Sequence, residues 1–312
     1  MDFPFSNDNK RYHTLAYENA CRGQKQYKAA LDAGLTCPNL DGTKGTGGCL
    51  YCDGGSGYFT ESAAVPITKQ LDDELARIRA KTPGAGAVAY FQAHTNTNAP
   101  APVLRELFTA ALAHEGVCGL AVATRADCLP PDVLDLLSEF NEKTELTVEL
   151  GLQTVFDDTA ARINRCHAYA DFRAGYSALR ARNIRVNVHL IDGLPGETAE
   201  RMVESARTLG WLRPDGVKLH LLHVIRGTAL CALYERGDYV PLTREEYIDI
   251  VVRQLEVLPP ETVIERLTGD GDRRTLVAPL WSRDKRRVLG GIDKALAERD
   301  TWQGKLFEEG DA

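Results

Sequence analysis

The sequence predicts an α/β fold: a curved, open, partial barrel of about six β–α units with a polar lumen. Three observations carry that prediction. Segments of strand and helix period alternate from the end of a cysteine-rich loop to about residue 260. Such alternation means a parallel sheet, and right-handed crossovers curl it one way. Three neighbouring strands are then apolar on one face and polar on the other, whereas a doubly covered parallel sheet is apolar on both.

The elements follow in order. Residues 15–30 suggest a short helix, and a strand is expected just before Cys37. Leu71, Leu75 and Ile78 recur at helical spacing, Val88–Phe91 is a short strand, and Leu104, Leu107, Phe108 and Ala111 mark the next amphipathic helix. Val117–Ala123 is a strand, followed by a helix through Val133, Leu136, Leu137 and Phe140. The strand Leu146–Leu150 precedes a helix through Phe172, Tyr176 and Leu179. Ile184–Ile191 precedes a helix through Met202, Ala206 and Leu209, and Val217–Leu222 is the last clear strand. Thr243 and Glu246 form a capping box that opens a helix carrying Ile248, Val251, Val252 and Leu255.

On the strand near Leu146, Leu146, Val148, Leu150 and Leu152 share one face, while Thr147, Glu149 and Gln153 share the other. Val186, Val188 and Leu190 oppose Arg185, Asn187 and His189, and Val217, Leu219 and Leu221 oppose Lys218 and His220. One strand of this kind is explained by a solvated edge; three in succession predict a wet lumen. Residues 15–262 are read as the core, with 263–312 as a short C-terminal extension that closes the barrel. Arg283, Lys285, Arg286 and Arg287 in that extension lie near Trp281 and Trp302. They read either as a solvated helix or as an RNA-binding patch.

Composition narrows the function classes. The 312 residues are 44% hydrophobic and 26% charged, ordinary for a globular protein. A net charge of −7 argues against a broadly basic, nucleic-acid-wrapping surface, though not against a local patch. No apolar stretch approaches the ~20 residues that span a bilayer, and the N-terminus does not read as a signal peptide. Eight cysteines are too few for a disulfide scaffold. A cytoplasmic protein with no membrane partner is expected.

The chemistry concentrates between Thr36 and Tyr58, in TCPNLDGTKGTGGCLYCDGGSGY. Glycines at 42, 45, 47 and 48 let this loop fold back and bring Cys37 beside Cys49 and Cys52. Three converging thiolates read as a metal or iron–sulfur site. With Cys21 as a fourth ligand, the alternative is a zinc knot.

The flanking CPN…GGC-x-YC, with Tyr51 completing a C-x-aromatic-C pattern, resembles the radical S-adenosylmethionine (SAM) superfamily. It is similar to the elongator-subunit-like branch, and above all to the YhcC-like family. YFQAHTNT, RINRCH, VKLHLLHV and the tail LVAPLW…DTWQG extend the resemblance over roughly Leu15 to Trp302. It implies a partial (β/α)6 TIM-like barrel of the radical SAM type. It also implies a [4Fe–4S] cluster on Cys37, Cys49 and Cys52, and reductive cleavage of SAM to a 5′-deoxyadenosyl radical. By the same resemblance Gln92 and Thr95 lie near the methionine amino group, and Glu149 and Gln153 near the ribose and carboxylate. Arg165 becomes a carboxylate partner, Gly193, Pro195 and Gly196 the adenine-binding G-x-x-G-E turn, and Lys218 and His220 part of the cofactor wall. Cys166 stands where the R-x-NRGH pattern has glycine, which puts the backbone there in question.

Catalytic residues of βα barrels gather at the C-terminal ends of the strands. His94, Arg125 and Cys128 are left there once SAM is accommodated, and are expected at the substrate. Arg125 either anchors an anionic group or pairs with Asp127. The resemblance further implies an external flavodoxin- or ferredoxin-like electron donor and a substrate that is a tRNA base or a small molecule. Two non-catalytic readings compete, a zinc-stabilised binding module and an RNA-binding scaffold.

Overall fold

Seven parallel strands, hydrogen-bonded in order along the chain, form one curled half-barrel in the computed structural model, which describes residues 3–23, 25–53, 60–92, 94–269 and 271–310. The strands are β1 (Gln26–Leu31), β2 (Gly86–Phe91), β3 (Val117–Thr124), β4 (Glu145–Gln153), β5 (Arg185–Asp192), β6 (Gly216–Leu221) and β8 (Val263–Arg266). A short antiparallel pair, β7 (Val224–Ile225) with β9 (Leu276–Ala278), lies outside the main sheet. The helices are α1 (Leu15–Cys21), α2 (Ile67–Lys81), α3 (Ala101–Leu112), α4 (Pro131–Lys143), α5 (Asp157–Arg162), α6 (Tyr169–Arg180), α7 (Ala199–Trp211), α8 (Ala229–Glu235), α9 (Arg244–Val257) and α10 (Lys285–Glu298).

The predicted period-2 faces explain the core. Leu146, Val148, Leu150 and Leu152 of β4, Val186, Val188 and Leu190 of β5, and Val217, Leu219 and Leu221 of β6 are all buried. They share one cluster with helix residues Phe108, Leu137, Phe172, Leu209 and Leu255. Each such side chain contributes roughly 1.5–3 kcal/mol by leaving water. The capping box at Thr243 and Glu246 opens α9 as expected.

Two stretches differ from the sequence reading. The helix expected over 15–30 ends at Cys21, and Gln26–Leu31 is the edge strand β1, paired along its length with β2. Gly23, at φ 71°, turns the chain between them. The seventh strand, β8, was not read as a strand, because VIER is too short to show a period. Its place is fixed instead by pairing with β6 and by Ile264 N donating to His13 O.

Candidate active site

The cysteine loop leaves the C-terminal end of β1 and folds back on itself. Leu40 N and Asp41 N donate to Cys37 O, Gly48 N donates to Asn39 O, and Cys52 N donates to Cys49 O. Gly42, Gly47 and Gly48 have φ of 88°, 79° and 71°, the left-handed region that glycine enters without strain. Residues 54–58, the end of the glycine-rich stretch, lie outside the described residues.

A second segment, 162–167, clamps this loop. Leu50 N donates to Ile163 O, Asn39 Nδ2 donates to Asn164 O at 2.5 Å, and Asn164 Nδ2 donates to Gly48 O at 2.7 Å. Asn39 Nδ2 also lies 3.8 Å from Cys49 Sγ. Cys166 adopts φ 61°, so a cysteine occupies a conformation suited to the glycine of the related pattern. Seven non-glycine residues have positive φ among the described residues; four of them, His94, Gln153, Asn164 and Cys166, border the site. Strain of this kind collects where function fixes the backbone.

The loop roofs a cavity of about 500 Å³ at the C-terminal mouth of the barrel. Cys37, Cys49, Tyr51, Cys52, Gln92, His94, Thr95, Arg125, Glu149, Gln153, Arg165, Lys218 and His220 all line it. Asn187 lies deeper among the lumen side chains, where its Nδ2 donates to Glu265 Oε1 at 3.0 Å. The polar strand faces therefore do point into one lumen.

The floor is a buried charge network. Glu149 accepts from Lys28 Nζ at 2.5 Å, Lys218 Nζ at 2.5 Å and the Tyr90 hydroxyl at 2.5 Å; His189 Nε2 lies 2.9 Å away. Burial opposes its charge, but Lys218 and Lys28 hold the Glu149 carboxyl well below the usual range. Burial pushes Lys218 down to about 8, although Glu149 opposes that shift. His189 is pushed down to about 4 by burial and Lys218, and His220 falls well below its ordinary value for the same reason with His189 beside it. Both imidazoles are neutral at pH 7. Glu149, expected as a direct cofactor contact, has both oxygens engaged by the chain itself and fixes Lys218 in the wall.

Of the other expected residues, Cys128, Gly193, Pro195 and Gly196 lie away from this cavity, and Arg125 lines it with its guanidinium already engaged. Cys128 is buried and lines a separate pocket with Pro38, Asp127 and Gly175 on the far side of the loop. Arg125 pairs with Asp127 through Nε at 2.9 Å and Nη2 at 3.0 Å, and its Nη1 donates to Arg165 O at 2.9 Å. Of the two roles open to Arg125, the pair with Asp127 is the one formed. Gly193, Pro195 and Gly196 form the turn after β5 but do not line the cavity. Arg162 Nη1 donates to Pro195 O and the Tyr239 hydroxyl to Gly193 O. Sequence reasoning missed Lys28, Tyr90, Asn39, His189 as a floor residue, and Arg266.

The residues fit both cofactors. Three thiols line one cavity, while no three His, Cys, Asp or Glu among the described residues converge as a single-ion site. A multi-iron cluster spaces its ligands more widely than one zinc does. Cys21, the supposed fourth zinc ligand, is exposed at the opposite end of β1. Burial and neighbouring Cys52 push the Cys49 thiol up to about 11, so a cation is needed to hold the thiolate. For SAM, the telling atoms are Arg165 Nη2 and His220 Nε2, both buried, both without a hydrogen-bond partner, on residues that line the cavity. Arg165 is otherwise pinned, donating from Nη1 to Leu152 O and Thr154 O and from Nε to His167 O. Its Nη2 faces only the Asp157 carboxylate, at 3.6 Å and beyond hydrogen-bond reach; a buried guanidinium edge so weakly paired suits a ligand carboxylate.

The family model of the radical SAM superfamily matches residues 42–209, and that of the radical SAM C-terminal domain matches 214–298. The uncharacterized protein YtqA of Bacillus subtilis is 46% identical over 98% of this chain and 96% of its own. Protein YhcC of Escherichia coli is 38% identical over 88% of this chain and 89% of its own. Among solved structures, the archaeal Elp3 of Methanocaldococcus infernus superposes with a TM-score of 0.67 at 16% identity. That match covers 90% of this chain, which spans 64% of the archaeal chain, and it shows the shared fold.

Proposed function

The chain belongs to the radical SAM superfamily, and from that premise we propose that Cys37, Cys49 and Cys52 hold a [4Fe–4S] cluster beneath which SAM binds. The observation that supports this most is the meeting of three thiols, the Arg165 Nη2 that has no hydrogen-bond partner and the unpartnered His220 Nε2 on one 500 Å³ cavity. When bound, the reduced cluster and SAM supply a 5′-deoxyadenosyl radical that abstracts a hydrogen atom from substrate. Arg165 holds the SAM carboxylate, and Gln92, Thr95 and Gln153 supply hydrogen bonds around the methionine and ribose. Lys218 and His220 form the wall, with Glu149 positioning Lys218. The turn at Gly193, Pro195 and Gly196 takes the adenine; its support is the family resemblance. Arg125 and Asp127 position the Arg165 backbone, and His94 faces the substrate side.

Metal analysis after anaerobic reconstitution tests the cluster. About four irons and four sulfides per chain are expected, with loss of the visible chromophore in Cys37→Ala, Cys49→Ala or Cys52→Ala and retention in Cys128→Ala. A colourless protein holding one zinc would overturn the reading in favour of a zinc-stabilised module.

RNA, with tRNA the class implied by the resemblance, is the substrate that the surface favours over a small molecule. Exposed Arg226, Arg273, Arg274 and Arg283 gather on the β7–β9 segment, whose neighbours His223 and Gly269 line the cavity. Arg274 is paired with Asp272. A steeply salt-dependent affinity for tRNA, weakened in R273A/R283A, is expected; an affinity independent of salt would overturn this part. A flavodoxin- or ferredoxin-like protein is the proposed electron donor. No helix among the described residues is long and apolar enough to cross a membrane, and we place the protein in the cytoplasm.

A further inference from the structure

Beneath the charged floor the lumen opens again into a second cavity of about 420 Å³, at the N-terminal ends of the strands. It is hollow because three of the five positions in one lumen-facing row, Ala30, Ala121 and Thr147, carry small side chains. Ala30 pairs with Tyr90, Tyr90 with Ala121, Ala121 with Thr147, and Thr147 with Arg185. Its wall is rich in charge, and the acids are all taken. Glu145 pairs with Arg22 at 2.6 Å and Glu74 with Arg77 at 2.8 Å, while Glu265 and Glu149 share Lys28 at 2.8 and 2.5 Å. Lys218 is also spent on Glu149. Two guanidiniums on this wall remain, Arg185 and Arg266, and among the described residues neither has a hydrogen bond or an ion pair. Both are half-buried, and Arg266 lies beside Lys218 in the sheet, so the excess positive charge is concentrated.

We propose that this lower cavity is a binding site for a small oxyanion-bearing metabolite, phosphate or carboxylate, held between Arg185 and Arg266. Planar guanidinium forks match both oxyanions bidentately, and the volume falls in the range of small-molecule pockets. Arg185 lines the lower cavity and not the one assigned to SAM, whereas Arg266 lines both; the proposal does not rest on the SAM assignment.

Calorimetric titration of the full chain with pyrophosphate, and separately with citrate, tests it. Saturable binding of one of them with Kd below about 1 mM is expected, and which one binds identifies the oxyanion. Arg185→Gln should weaken that binding by about tenfold or more; Arg185 does not line the upper cavity, so iron content should stay unchanged. Val88→Phe should block the cavity without touching a charge. Arg185→Lys should keep the fold and recover only part of the affinity, having charge without a fork. Failure of both anions to bind the wild-type protein would overturn the proposal. So would equal binding by folded Arg185→Gln, or by Val88→Phe.

Discussion

Cys166 carries a local cost that the site retains. Its φ of 61° is a conformation that costs an L-residue roughly 1–2 kcal/mol and glycine little. The exposed thiol makes only weak contacts with Asn164, 3.2 Å to its Oδ1 and 3.6 Å to its carbonyl O. Cys166→Gly is therefore expected to raise stability by up to about 1 kcal/mol, after the unfolded-state entropy of glycine is offset. Cys166→Ala should give no gain. Paired thermal melts check this, and a glycine variant less stable than the alanine one would contradict it. Asp192 is a second case. Buried in the core, with only Gln254 Nε2 donating to it at 2.6 Å and Glu197 nearby, it is pushed up to about 8. Folding thus takes up a proton between pH 3.8 and about 8, and stability falls as pH rises through that window. Asp192→Asn should leave stability near pH 4 almost unchanged and add on the order of a few kcal/mol by pH 8. A gain that does not grow with pH would refute the assignment. Of the individual residues, the cysteines and Arg165 stand out in the sequence because motif spacing marks them. Lys28 and Tyr90 do not, because nothing local announces that they meet a carboxylate 121 and 59 positions away.

At the scale of elements, the cysteine loop is held in shape by the 162–167 segment. Asn39 is the hinge of that contact, fully buried, with its amide shared between Asn164 O and the Cys49 sulfur. Asn39→Ala should cost about 1–3 kcal/mol locally without changing the helical content. Iron per chain should fall, and the chromophore should bleach faster in air. Unchanged iron retention would show that the loop does not need the clamp. Both partners were visible as motifs, CPN and RINRCH, yet their contact was not, since it joins residues 125 apart. The polar faces of β4, β5 and β6 were legible because a strand's period names its faces. β1 was expected before Cys37, but its residues were read into the preceding helix because nothing but Gly23 ends that helix; β8, four residues long, was hidden.

At the scale of the whole molecule, the Glu149 network ties the half-barrel together from inside, joining side chains from β1, β2, β4, β5 and β6. Glu149→Gln leaves Lys28 and Lys218 without their shared counter-charge in a buried site. That loss should cost about 3–5 kcal/mol, seen as a lower denaturation midpoint with an unchanged m-value. A variant as stable as the wild type would mean that the floor is solvated and that its charges do not hold the sheet. The architecture was legible from alternation and face polarity, but the partition of the lumen into an upper and a lower cavity was not. That division depends on which lumen side chains are long and mutually paired, a property of the closed barrel that no single strand displays.

The central claim, that the upper cavity with its three cysteines activates SAM, is tested most directly by chromatographic measurement of 5′-deoxyadenosine. The anaerobically reconstituted protein would be incubated with SAM and dithionite, beside its Cys37→Ala, Cys49→Ala and Cys52→Ala variants. The account predicts that the wild-type protein releases 5′-deoxyadenosine and that each variant releases none. A wild-type protein that carries its full iron and sulfide yet yields no 5′-deoxyadenosine would contradict it.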